Sequence, residues 1–192
     1  MGKKKKTPKK RKRIAAVQVS AIPNQLRKAG SYPIKECYIS ERWQERGLAN
    51  ILVLREKSNK NYVVGGFLID FWCLGLKNTF FKTDISYSEI KQDLLNNRDE
   101  IFVPVDENLA HSLIYGAIDY AEKIGFFPHS DFKKSKYILK SRDEIDFDDS
   151  LEFGKDGEPV YISGPNESQQ EVIRILKHIK KYKSENMENN EI

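Results

Sequence analysis

Tyr62–Cys73 (YVVGGFLIDFWC) is apolar at both odd and even positions over almost its whole length. A β-strand sends successive side chains to opposite faces, so such a run needs apolar cover on both sides of a sheet. It therefore predicts an interior strand and a layered fold. Gly65–Gly66 within it marks a bulge or a close backbone approach. Ala49–Arg55 is a second β-rich run, and the polar Glu56–Asn61 between the two reads as a hairpin loop. Ile34–Ser40 alternates and is a further strand, as is Leu76–Thr83, which follows the reversal that Gly75 permits.

Beyond that point the period changes. Tyr87–Asn97 and Asp106–Ile124 read as helices, the second with Leu109, Leu113, Ala117, Ala121 and Ile124 on one stripe. Asp106 is an N-cap and Gly125 a C-terminal stop. Ser130–Leu139 predicts a third helix with Ser130 capping. Leu151–Phe153 and Val160–Ile162 flank Gly154–Gly157, a hairpin signal at Asp156–Gly157. A last helix starts near Asn166, with Val172, Ile175, Leu176 and Ile179 on its apolar stripe. Strands followed by helices, a hairpin and a helix predict an α+β class. The expected architecture is a single domain over residues 32–183, a largely antiparallel sheet with three or four helices packed on it. Residues 1–31 read as a flexible basic extension and Ser184–Ile192 as a disordered polar tail.

Charge divides the chain unevenly. Lys3, Lys4, Lys5, Lys6, Lys9, Lys10, Arg11, Lys12 and Arg13 hold nine of its 33 basic residues, and no acid interrupts them. The remaining 24 face 28 acids, a formal −4. A dense cation cluster without side-chain pattern suits a polyanion contacted through its phosphates. RNA or the ribosome is the expected partner, with DNA possible. Lys177, Lys180 and Lys181 on the last helix form a second basic patch, although cations late in a helix also answer its dipole. Trp43 and Tyr182 lie beside basic residues, where they can stack on bases. The expected role of Trp43 is packing under the first hairpin.

Other classes fit poorly. No apolar run reaches the roughly 18–20 residues of a membrane helix. No apolar stretch with a cleavage site follows the basic start, so no secretory signal is expected. Cys37 and Cys73 each sit in an apolar run and read as buried thiols of a cytoplasmic protein; a eukaryotic source would make the lysine run a nuclear signal. Two cysteines and three histidines without ligand spacing imply no metal, and the absence of GxGxxG and GxxxxGK[ST] implies no cofactor held by those loops.

Catalytic candidates are few. Asp70, in the most buried strand, is costly as a carboxylate unless bonded or paired, and Lys77 is its expected partner. Metal-dependent nucleases use a strand carboxylate with a nearby lysine, but Gly75 stands where their second acid falls. His129, with Asp131 two residues on, is an acid–base pair or a helix start. A hydrolase using Asp70, Lys77, His129 and Asp131 is the alternative to RNA binding, and a protein–protein adaptor the third reading.

GGFLIDFWCLGLKN, HSLIYGAIDYAEKIGFFPHSDF and LEFGKDGEPVYISGPNES together resemble a family of uncharacterised bacterial proteins, some carrying a SEC-C-type zinc knuckle. The resemblance spans Pro33–Ile179 and implies a bacterial cytosolic protein. It supplies no catalytic residue, and the knuckle's cysteines are missing here.

Overall fold

The computed structural model describes residues 23–57, 60–96, 100–164 and 167–189. The lysine run Lys3–Arg13 lies outside them. The fold is α+β. Its centre is one five-stranded antiparallel sheet of β1 (Ile34–Ser40), β2 (Leu48–Glu56), β3 (Asn61–Asp70), β4 (Gly75–Ser86) and β5 (Phe102–Val105), in spatial order β4-β3-β2-β1-β5. The apolar run becomes β3, between β2 and β4, as its two-sided pattern requires. Gly65 and Gly66 keep regular pairing. Gly66 is instead a site of close approach, because a Cβ there would meet the ring of Phe80 at 2.1 Å.

Two layers cover the sheet. The helix α4 (Glu107–Ile124) lays Leu113, Ile114, Ala117 and Ile118 against Ile51, Val53, Phe67 and Ile69. Each such leucine or isoleucine contributes roughly 1.5–3 kcal/mol on burial. Asp106 caps α4, accepting the Asn108 and Leu109 N–H groups at 2.8 and 3.2 Å, and Gly125 ends it at φ +99°. On the opposite face Leu52, Leu54, Tyr62, Val64 and Ile85 meet Ile90, Leu94 and Leu95. These belong to a segment that starts as a short helix, α3 (Tyr87–Glu89), behind a Ser86–Glu89 capping box and widens into a π-helical turn (Ile90–Leu95). The regular helix expected over Tyr87–Asn97 is therefore only partly realised.

Several boundaries move. Leu26 in α1 (Asn24–Arg27), and Ala29 just after it, are fully buried, so the packed body starts before residue 32. The helix α2 (Trp43–Arg46) ends at Gly47, and Trp43 packs on Phe71 at 5.1 Å between ring centroids. The helix expected from Ser130 begins two residues later as α5 (Phe132–Ser135) and tightens into a 3₁₀ turn over Lys136–Ile138. Ser130 does not cap it; the first turn closes through Phe132 N–H to the His129 carbonyl at 2.9 Å. The Asp156–Gly157 turn forms with both residues at positive φ. Its arms pair only at Lys155 and Glu158. Gly154 and Val160 instead donate to the carbonyls of Phe71 and Trp72, so the arms brace the β3–β4 connection.

The last helix, α6, runs Gln169–Asn189, through most of the segment expected to be disordered. Local bonds sustain it there. The Ser184 hydroxyl donates to the Lys181 carbonyl at 2.8 Å, and the Asn186 amide to the Tyr182 carbonyl at 3.1 Å.

Candidate functional site

The site lies at the C-terminal end of α4, where β3 turns into β4. Gly75 makes this turn possible at φ +64°. A Cβ there would also meet the Ala117 carbonyl at 2.8 Å and the Ala121 Cβ at 2.7 Å, so only glycine lets α4 cross so closely. Asp70 ends β3. Its Oδ1 accepts the N–H groups of Trp72 at 3.0 Å and Cys73 at 2.9 Å. Burial pushes its pKa up, opposed by those two N–H groups and by the Lys77 charge. Asp70 thus anchors the turn.

The expected Asp70–Lys77 pair is not formed. Leu68 faces Asn78 while Ile69 faces Leu76, which leaves Lys77 as the extra residue of a β-bulge. A bulge re-aims the side chain it carries, and Lys77 Nζ donates to Glu167 Oε1 at 3.0 Å. Glu167 also accepts the Gly164 N–H at 2.9 Å and the Tyr161 hydroxyl. Burial works against its charge, yet the bonds from Tyr161, Gly164 and Lys77 hold its pKa below the usual value.

Beside this pair opens a cleft of about 600 Å³. Its polar lining is Lys77, His129, Glu167, Glu171, Arg174 and His178, and its apolar lining includes Leu76, Phe126, Phe127 and Ile175. The backbone of His129 is tied to the bulged strand, its N–H donating to the Leu76 carbonyl at 3.0 Å. His129 Nδ1 accepts the Asp131 N–H at 3.2 Å and stands 3.9 Å from Asp131 Oδ2. With Nδ1 an acceptor, the neutral ring carries its proton on Nε2. Asp131 Oδ1 accepts from Lys134 Nζ at 3.2 Å.

The helix α6 forms the facing wall. Ser168 and Glu171 close a reciprocal cap at its start. Ile175 and Ile179 pack with Cys73 and Ile124, and His178 meets the Phe126 ring at 5.5 Å. Burial pushes both thiols, Cys37 and Cys73, up to about 12, so neither is a nucleophile at neutral pH. No group of three or more His, Cys, Asp or Glu among the described residues is placed to hold a metal ion.

Of the four catalytic candidates, the structure brings Lys77, His129 and, through His129, Asp131 to this cleft. Asp70 lines a neighbouring hollow of about 260 Å³ that shares Lys77. Lys177, Lys180 and Lys181 are exposed on α6; Lys181 pairs with Glu185 at 3.6 Å, while Lys177 and Lys180 make no ion pair among the described residues. Sequence reasoning did not assign Glu167, Phe127 or His178 to a site. The 174/178 spacing on one helix face was the available signal.

Comparison of the chain with protein-family models, with curated proteins and with solved structures finds no match in any of the three. Among the described residues no helix is long and apolar enough to cross a membrane.

Proposed function

We propose that this protein binds RNA, on its own or within the ribosome, holding the phosphate backbone with the Lys3–Arg13 segment and the cationic face of α6. The observation that carries this reading is the placement of charge. Nine cations without an acid sit in one short segment of a chain whose remainder is net negative. In that remainder Arg174, Lys177, Lys180 and Lys181 share one exposed helix, and only Lys181 has an ion-pair partner among the described residues. Unpaired cations release condensed counterions on meeting phosphate, without needing a fixed geometry. The hydrolase alternative is weaker, because Asp70 Oδ1 is committed to the turn and neither cysteine ionises near neutral pH.

The test is anisotropy of a labelled RNA strand titrated with the intact chain across a range of KCl concentrations. Affinity should fall with salt along a log–log slope reaching about −6 if all nine tail charges engage, at roughly −0.7 per contact. Removing residues 1–13 should abolish most of that dependence. The same affinity and slope without them would overturn the reading.

A further inference from the structure

The cleft has a rim that the fold itself does not use. Phe127 is 79 % exposed, the most exposed large apolar side chain among the described residues. The backbone that carries it is nevertheless fixed at both sides. Phe126 N–H donates to the Ala121 carbonyl at 2.9 Å, and His129 N–H to the Leu76 carbonyl at 3.0 Å. Leaving an aromatic ring in solvent on a fixed backbone forgoes the stabilisation its burial would bring.

Across the cleft, α6 directs Arg174 and His178 inward and carries Lys177 and Lys181 on adjoining exposed positions. Positions 174, 177 and 181 recur along one side of the helix and span about 10 Å at 1.5 Å per residue. Lys77 is already neutralised by the mostly buried Glu167, whereas Lys181 meets Glu185 at 3.6 Å in an exposed pair that a phosphate can displace, so the available positive charge comes from α6. An aromatic face beside a short row of cations is the pairing that single strands require. The ring stacks on any base, and the cations follow the backbone.

We propose that this cleft takes one unstacked nucleotide of a single-stranded nucleic acid, its base on Phe127 and its flanking phosphates on Arg174, Lys177 and Lys181. The inference rests on the RNA-binding reading and moves part of the contact from the lysine run to the folded body. A duplex is not the ligand, because stacking hides its base faces and leaves mainly backbone and groove edges. Nor is an apolar protein surface, since charged and polar groups, Lys77, Glu171, Arg174 and His178, share the cleft with the ring and its apolar floor of Leu76 and Ile175. Stacking needs no particular base, so sequence preference is slight.

The intact chain is titrated into fluorescein-labelled 12-nucleotide RNA, the same DNA sequence, and the RNA duplex, with a thermal melt of each variant to check its fold. Phe127→Ala should weaken single-strand binding about tenfold or more, within the range of one stacked base. It should leave duplex binding and the salt slope unchanged, and Phe127→Trp should restore affinity. Neutralising Arg174, Lys177 and Lys181 to glutamine should flatten the slope by about 2. Equal losses on RNA and DNA strands support stacking as the chemistry. Salt-dependent binding by the wild type with full affinity in Phe127→Ala overturns the cleft and leaves the RNA reading standing, as does an equal loss on the duplex. No salt-dependent binding by the intact chain overturns both.

Discussion

The two ends of α4 carry polar clusters of similar composition and opposite character. At the N-terminal end, Arg55 is 4 % exposed and donates to three main-chain carbonyls, Ile138, Gly30 and Tyr32. Nearby His111 is fully buried. Its Nε2 accepts the Lys140 N–H at 3.0 Å, which leaves Nδ1 to donate to the Glu107 carbonyl at 2.6 Å. Both side chains spend their hydrogen bonds on backbone: Nε and Nη1 of Arg55, and both ring nitrogens of His111. At the C-terminal end, about 27 Å away along the helix, His129, Arg174 and His178 line an open cleft with bonding capacity to spare. Residue type alone does not separate these clusters; what each side chain is already bonded to does. A saturated buried group is scaffold, while a positioned and unsaturated one is available to a ligand.

The sharpest way to break this contrast is at Arg55. Arg55→Ala removes the donor for three carbonyls at once and leaves a hole beneath the segment that carries Gly30 and Tyr32. A loss of about 3–5 kcal/mol is expected in urea denaturation, in the range for breaking a buried charged network. A loss under about 1 kcal/mol would place Arg55 among ordinary surface groups.

A smaller effect should appear with pH at His111. Burial lowers its pKa, helped by the charges of Arg55 and Lys140 and opposed by the bond to the Glu107 carbonyl. The unfolded chain then binds a proton that the folded one rejects. This contribution is complete above the unfolded value, about 6.5, and is lost as pH falls towards the lower folded value. Its slope is at most about 1.4 kcal/mol per pH unit. Urea denaturation at pH 7.5 and 5.5 should show the loss, and His111→Gln should flatten it. Asp70 acts in the opposite sense, since its raised pKa makes stability fall as pH rises through it, so the His111→Gln difference isolates the histidine.

The same contrast explains what the sequence disclosed. The two-sided apolar run at Tyr62–Cys73 and the capped stripe of α4 are local patterns, and both led to the right elements. β5 was hidden because Phe102–Val105 is four residues long and contains Pro104, tolerated only because this strand lies at the sheet edge. The partner of Lys77 was hidden because a one-residue bulge redirects it to Glu167, 90 positions along the chain. Asp70 was rightly marked as costly, but its remedy lies in two backbone N–H groups of a turn, and no spacing of side chains shows those. His129 and Lys77 were legible as chemistry-bearing residues. Their meeting place was not, because α6 and Phe127 complete it from distant parts of the chain.

The most direct test asks whether the cleft groups serve folding at all. Phe127, Arg174 and His178 are replaced together by alanine, and the urea midpoint and slope are compared with wild type and with Arg55→Ala. A small change is expected, near the roughly ±0.5 kcal/mol usual for surface sites, with an unchanged slope. A loss approaching that of Arg55→Ala would show that these side chains hold the fold together, and the division between a saturated end and an available one would be wrong.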